Sequence, residues 1–129
     1  MILHTSAMLA LLLQETEAER LLAALAKATA VGVGTPTLVE TGVLLAARLD
    51  PKQQVLLRFL QAFGVLVIPF GDLHWREAAA AHERFGAGRH PAALELGDCL
   101  SYATASLAQQ PLLSVGGNLG LTDLILVEY

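Results

Sequence analysis

Four short apolar runs, Met1 to Leu3, Val31 to Val33, Val65 to Ile68 and Leu112 to Val115, constrain this chain more than any other feature. None alternates apolar with polar residues, as a strand with one wet face does. Such runs suit parallel strands buried on both faces. The stretches between them carry helical spacing, so the reading is an α/β sandwich around a mostly parallel sheet.

The helical stretches can be placed from their own signals. Ser6 to Leu13 and Glu17 to Lys27 form a first pair, the second with Leu21, Leu22 and Leu25 on one face. Thr35-Pro36 reads as an N-cap followed by proline at the first helical position. Asp50-Pro51 repeats that signal for a helix ending near Phe63. Asp72 is expected to cap a helix that runs to Phe85, and a last helix is expected from about Glu95 to Ala108. No linker, repeat or low-complexity tract divides residues 1–129, so a single domain is expected.

Composition matters where it tests this reading. The chain is 54% hydrophobic, with a mean hydropathy of +0.55, which raises the question of a membrane. The longest unbroken apolar run, Ala7 to Leu13, is far shorter than the roughly 18 residues of a spanning helix. No positive charge precedes Arg20, which argues against a secretory signal. A cytoplasmic protein without a membrane partner is therefore expected, its surplus of apolar residues covering the sheet and an interface. The net charge of −4 argues against a broad nucleic-acid surface and suits a basic protein partner.

The candidate chemistry lies at the strand ends. His4 follows the first run, Glu40 lies on the helix after the second, Asp98 sits in Leu96-Gly97-Asp98-Cys99, and Asn118 follows the fourth. In an open parallel sheet, the carboxyl ends of strands and the helices after them converge on one crevice. Glu40 stands among Leu38, Val39 and Val43, and Asp98 among Leu96, Cys99 and Leu100. A carboxylate in apolar surroundings needs a partner: a hydrogen bond, an ion pair or a metal. Other chemistries drop out. Cys99 directly follows an acid that would raise its thiol pKa, so packing is its expected role. Gly32-Val33-Gly34 lacks the lysine and hydroxyl of a phosphate loop, and no Gly-x-Ser-x-Gly elbow occurs. His74 and His82 are expected on a helix surface, and Trp75 in packing. The loop Gly86-Ala87-Gly88-Arg89-His90-Pro91 reads as a solvated connector or, with Arg84, as a small phosphate-facing patch.

These stretches together resemble a known family. Ile2-Leu3-His4-Thr5-Ser6-Ala7, Pro36-Thr37-Leu38-Val39-Glu40, Arg84 through Pro91, Leu96-Gly97-Asp98-Cys99-Leu100-Ser101-Tyr102-Ala103 and Pro111 through Asp123 are similar to the PIN-domain ribonuclease toxins of the VapC type. The resemblance implies a PIN-like three-layer sandwich with a short sheet of four or five strands. It implies a metal-dependent endoribonuclease that hydrolyses RNA phosphodiester bonds with Mg2+ or Mn2+, paired with an antitoxin-like protein and forming a homodimer. Carried over residue by residue, it makes His4, Glu40, Asp98 and Asn118 the catalytic positions. Asp98, Glu40 and His4 become the metal ligands, and Ser6, Arg84, Arg89 and His90 the substrate contacts.

The same resemblance marks what is altered. Aspartate is the family residue at position 4 and at position 118, where this chain has His4 and Asn118. Ala87 and Val115 stand where lysine is common, and Glu95 where asparagine is usual. Magnesium prefers oxygen ligands, so imidazole is a poor substitute, whereas manganese or zinc accepts it. Each lost carboxylate removes about 8 kcal/mol of gross attraction to a divalent ion at ~4 Å, most of it cancelled by desolvation and screening. The expected activity is therefore an impaired ribonuclease. The alternative is a non-catalytic dimeric module that binds an antitoxin-like protein, whose basic segment would place an arginine between Glu40 and Asp98. A receiver-like signalling domain fails for want of an acidic pair after the first strand. Glu95, three residues before Asp98, would share its helix face if both were helical.

Overall fold

The computed structural model describes residues 1–48 and 53–129. Its strands are β1 (Ile2–Leu3), β2 (Gly32–Gly34), β3 (Leu66–Ile68) and β4 (Leu112–Leu113). Its helices are α1 (Thr5–Leu12), α2 (Ala18–Lys27), α3 (Thr35–Ala46), α4 (Gln54–Ala62), α5 (Asp72–Phe85) and α6 (Leu96–Ala108). The sheet is parallel in the order β3-β2-β1-β4. Ile2 pairs with both Gly32 and Leu112, and Leu3 with Leu113. A parallel bridge from Leu112 to Leu126 lays the C-terminal segment along the outer edge of β4.

Successive residues of a strand point to opposite faces, and the two cores follow that rule. Leu3, Val33 and Leu113 pack against α1 to α4 on one face. Ile2 and Leu112 pack against α5 and α6 on the other. The result is three layers, helix–sheet–helix, as expected. The outer strand departs from expectation: Leu66 and Val67 are largely exposed. Parallel strands are buried on both faces only where helices reach them, and β3 is the edge.

Three helix starts also differ. Gly34, in extended conformation, is the N-cap of α3, so Thr35 and Pro36 are its first two residues. Gly71 precedes α5, and Asp72 is inside the helix, accepting from Trp75 Nε1 and Arg76 Nε. Trp75 is 55% exposed rather than packed, with the Arg76 guanidinium over its ring. Glu95 is the extended N-cap of α6 and not helical. The Asp50-Pro51 signal lies outside the described residues. Among the described residues, no helix is long and apolar enough to cross a membrane.

The order β3-β2-β1-β4 places a switch point between β1 and β4, where the chain stops adding strands on one side and starts on the other. Crevices form at the carboxyl ends of strands at such a point.

Candidate active site at the carboxyl edge of the sheet

His4 leaves β1 and caps α1. Its backbone is extended, and Nδ1 accepts from the Ser6 backbone N–H at 3.1 Å. The Ser6 hydroxyl accepts from Val115 N–H at 2.9 Å and lies 2.9 Å from the same Nδ1, to which it donates. A ring nitrogen that accepts from a backbone N–H carries no proton, so the imidazole proton sits on Nε2. That N–H points at Asp98 Oδ1, 3.1 Å away. The other Asp98 oxygen accepts from the Glu95 backbone N–H at 3.0 Å, closing the first turn of α6. The His4 hydrogen bond holds the Asp98 carboxyl below its usual range, aided by Glu95 and opposed by burial. The two side chains are only 12% and 29% exposed.

Glu40 reaches the same place from α3. A Cβ built on Gly97 would lie 2.5 Å from Glu40 Oε2, so the carboxylate rests on the first turn of α6 beside Asp98. A buried bond sets this contact: Thr37 Oγ1 and Ser101 Oγ are 3.0 Å apart. Thr37 and Glu40 are three residues apart on α3, as are Asp98 and Ser101 on α6, so each pair shares a helix face. Thr37 and Ser101 escaped the sequence reading, although a hydroxyl three residues from each acid was the available signal. The surroundings of Glu40 differ from expectation, since Val39 and Val43 are 66% and 65% exposed.

The structure joins His4, Ser6 and Asp98 by hydrogen bonds and sets Glu40 against neighbouring Gly97. Asn118 follows two glycines with positive φ (Gly116, 58°, and Gly117, 76°) and begins a single 3-10 turn, Leu119–Leu121, anchored by buried Leu119. Among the described residues, no hydrogen bond joins its side chain to His4, Glu40 or Asp98. Arg84 is committed elsewhere, donating to Asp123 at 3.3 Å and lying over Phe85. His90 folds back, its Nδ1 accepting from Ala92 N–H and its ring edge-on to Phe85. Arg89 is exposed on the loop that leads into α6. Tyr102 donates to Asp123 at 2.6 Å, and burial followed by that neighbour pushes its phenol up to about 12. Cys99 is buried, and burial followed by the Asp98 charge pushes its thiol up.

A magnesium or manganese ion does not fit this donor set. Among the described residues, no group of three or more His, Cys, Asp and Glu is arranged to hold a metal. Both Asp98 oxygens and both His4 ring nitrogens already have partners. Two buried hydroxyls in adjoining segments, Thr5 Oγ1 and Ser114 Oγ, lack a hydrogen-bond partner among the described residues, but they bring no charge.

A short parallel sheet with helices on both faces, and the acids Glu40 and Asp98 beside its switch point, defines an α/β protein with a candidate site at the carboxyl edge. The PIN-domain family model matches residues 1–123. Ribonuclease VapC36 of Mycobacterium tuberculosis is 41% identical over 126 residues, 96% of this chain and 91% of that protein. Ribonuclease VapC of Mycolicibacterium smegmatis is 35% identical, covering 99% of this chain and all of that one. The chain belongs to the PIN-domain family, in its VapC branch. The fold is shared with Mycobacterium tuberculosis VapC20, a sarcin-ricin loop cleaving toxin (TM-score 0.76, 18% identity, 99% of this chain and 98% of that one). It is shared also with a toxin-antitoxin complex from Klebsiella pneumoniae (TM-score 0.66, 19% identity, 89% and 85%).

Proposed function

We propose that this chain is the toxin component of a toxin–antitoxin pair, an endoribonuclease acting on RNA phosphodiester bonds, with activity impaired at His4 and Asn118. The observation that carries the reading is Glu40 resting on Gly97, the residue before Asp98 in the first turn of α6, beside the switch point of a PIN fold. The VapC ribonucleases similar to this chain supply the substrate class. Magnesium or manganese is the cofactor proposed by family, and the donor set as it stands does not receive it. The test is cleavage of RNA by the purified protein with each ion. The reading expects slow cleavage by the wild type and faster, ion-dependent cleavage after His4→Asp with Asn118→Asp. Wild-type cleavage equal to that of the double variant removes the impairment. No cleavage by either removes the ribonuclease reading.

A second reading, a non-catalytic dimeric module in the cytoplasm that binds an antitoxin-like protein, is favoured by the His4–Asp98 bond. It has two supports. Glu40 offers an exposed carboxylate to a basic segment, and a groove of about 470 Å³ between α3 and α4, lined by Leu38, Val39, Val43 and Leu57 among others, suits an apolar helix face. Antitoxin capture that persists in chelator, and weakens on Glu40→Gln with Asp98→Asn, is the expected result. Unchanged affinity excludes the crevice as the docking place.

A further inference from the structure

We propose that His4 takes the place of the metal ion in this crevice, so that its acidic edge is organised by a hydrogen bond and needs no divalent cation. The inference rests on the proposed family site and goes beyond it, from weakened activity to a specific substitute for the ion. One imidazole performs two tasks at once. Nδ1 accepts the Ser6 N–H, the helix-capping task that an aspartate oxygen performs equally well. Nε2–H then gives Asp98 Oδ1 the electropositive partner that a cation would otherwise give it. An aspartate at position 4 can do the first but not the second, because an ionised carboxylate only accepts.

Each end of this arrangement is fixed by backbone. The Ser6 backbone N–H, which can only donate, fixes the tautomer, and Val115 N–H holds the Ser6 hydroxyl so that its own proton turns to Nδ1. Glu95 N–H holds the other Asp98 oxygen. The chain of bonds runs from the segment after β4 through α1 to the start of α6, joining the elements that form the crevice. A cation entering beside Asp98 must break the Nε2–H bond, and among the described residues no group of three or more His, Cys, Asp and Glu is arranged to receive it. The proton on Nε2 also faces the carboxylate, so the ring nitrogen has no lone pair to offer there.

Two measurements test this. Long-range 1H–15N spectra of the wild type are expected to show His4 protonated at Nε2 and bare at Nδ1, and the opposite tautomer overturns the proposal. Manganese binding, followed by loss of the free-ion paramagnetic resonance signal, is read with the melting temperature in chelator and in manganese. The wild type is expected to take up no manganese at about millimolar concentration and to melt at one temperature in both. His4→Asp is expected to bind manganese at least about tenfold more tightly than wild type and to melt higher with the ion than with chelator. His4→Asn keeps a capping oxygen and releases Asp98, so a smaller gain is expected even if the aspartate variant folds poorly. Submillimolar manganese binding by the wild type, or no gain in the folded variants, overturns the proposal. RNA cleavage is scored separately: a wild type that cleaves without binding manganese defeats metal-dependent hydrolysis and leaves this inference standing.

Discussion

Gly34→Ala probes the contact between the sheet and the helix that carries Asp98. Gly34 ends β2 with φ −70° and ψ 146°, a conformation open to alanine, so backbone strain is not the issue. The added Cβ would stand 2.6 Å from Thr104 Oγ1 and 3.4 Å from its Cγ2. Thr104 is 1% exposed and donates to Leu100 O at 3.0 Å, so it has nowhere to turn. Overpacking of this kind costs about 1–3 kcal/mol. Exchanging a glycine N-cap for alanine adds roughly 0.5–1 kcal/mol, and the stiffer unfolded chain returns about 0.4–1 kcal/mol. The expected net loss is about 1–3 kcal/mol, read by urea unfolding followed by circular dichroism. Thr104→Ala deletes both close atoms and leaves Cβ at 3.5 Å, an ordinary contact. In that background Gly34→Ala is expected to cost about 1 kcal/mol or less, a coupling that a double-mutant cycle isolates. Equal costs in the two backgrounds would refute the steric argument.

The remaining predictions concern charge and two other glycines. The folded Asp98 carboxyl is depressed, so its contribution is present above the unfolded value near 3.8 and is lost as pH falls through the lower folded value. Asp98→Asn should therefore flatten the melting-temperature profile below the ordinary carboxylate value of 3.8, and an unchanged profile counts against the His4–Asp98 bond. In a Tyr129→Phe background, ultraviolet titration should show the remaining phenol ionising at about 12. Asp123→Asn should bring it down in part, because burial is the larger cause. Gly86→Ala puts a Cβ 2.3 Å from the His82 backbone oxygen, which no rotamer relieves, and should lower the melting temperature by several degrees. Gly97→Ala meets the far end of the Glu40 side chain and should leave stability near wild type while displacing that carboxylate. Equal melting temperatures for the two variants would refute the distinction.

The ends of helix α5 at Phe85 and of helix α6 at Ala108 were legible in the sequence, because the apolar pattern and the polar or glycine breaks after them coincide. The strands were legible too, within a residue or two, since apolar runs bounded by polar or glycine residues have few other uses. Helix starts were less so: Thr35, Asp72 and Glu95 each look like a cap or a first-turn residue, and the backbone turns one residue away from where side-chain chemistry alone would put it.

The order of residues along this chain determined an α/β sandwich and named Glu40 and Asp98 as acids out of place. It also identified the two positions, His4 and Asn118, where the family's acid is replaced. Tertiary structure alone decided what those residues do to one another. Only the strand order, with its switch between β1 and β4, brings position 4 to position 98. The buried Thr37–Ser101 bond joins α3 to α6 where Glu40 lies against Gly97, and neither contact exists before the helices pack. The Ser6 N–H sets the His4 tautomer locally, but the acceptor of Nε2–H, Asp98, is brought to it only by the fold. Hydrophobic pattern is a local property read along one element, whereas a hydrogen bond across the crevice depends on distances that exist only once the layers have packed.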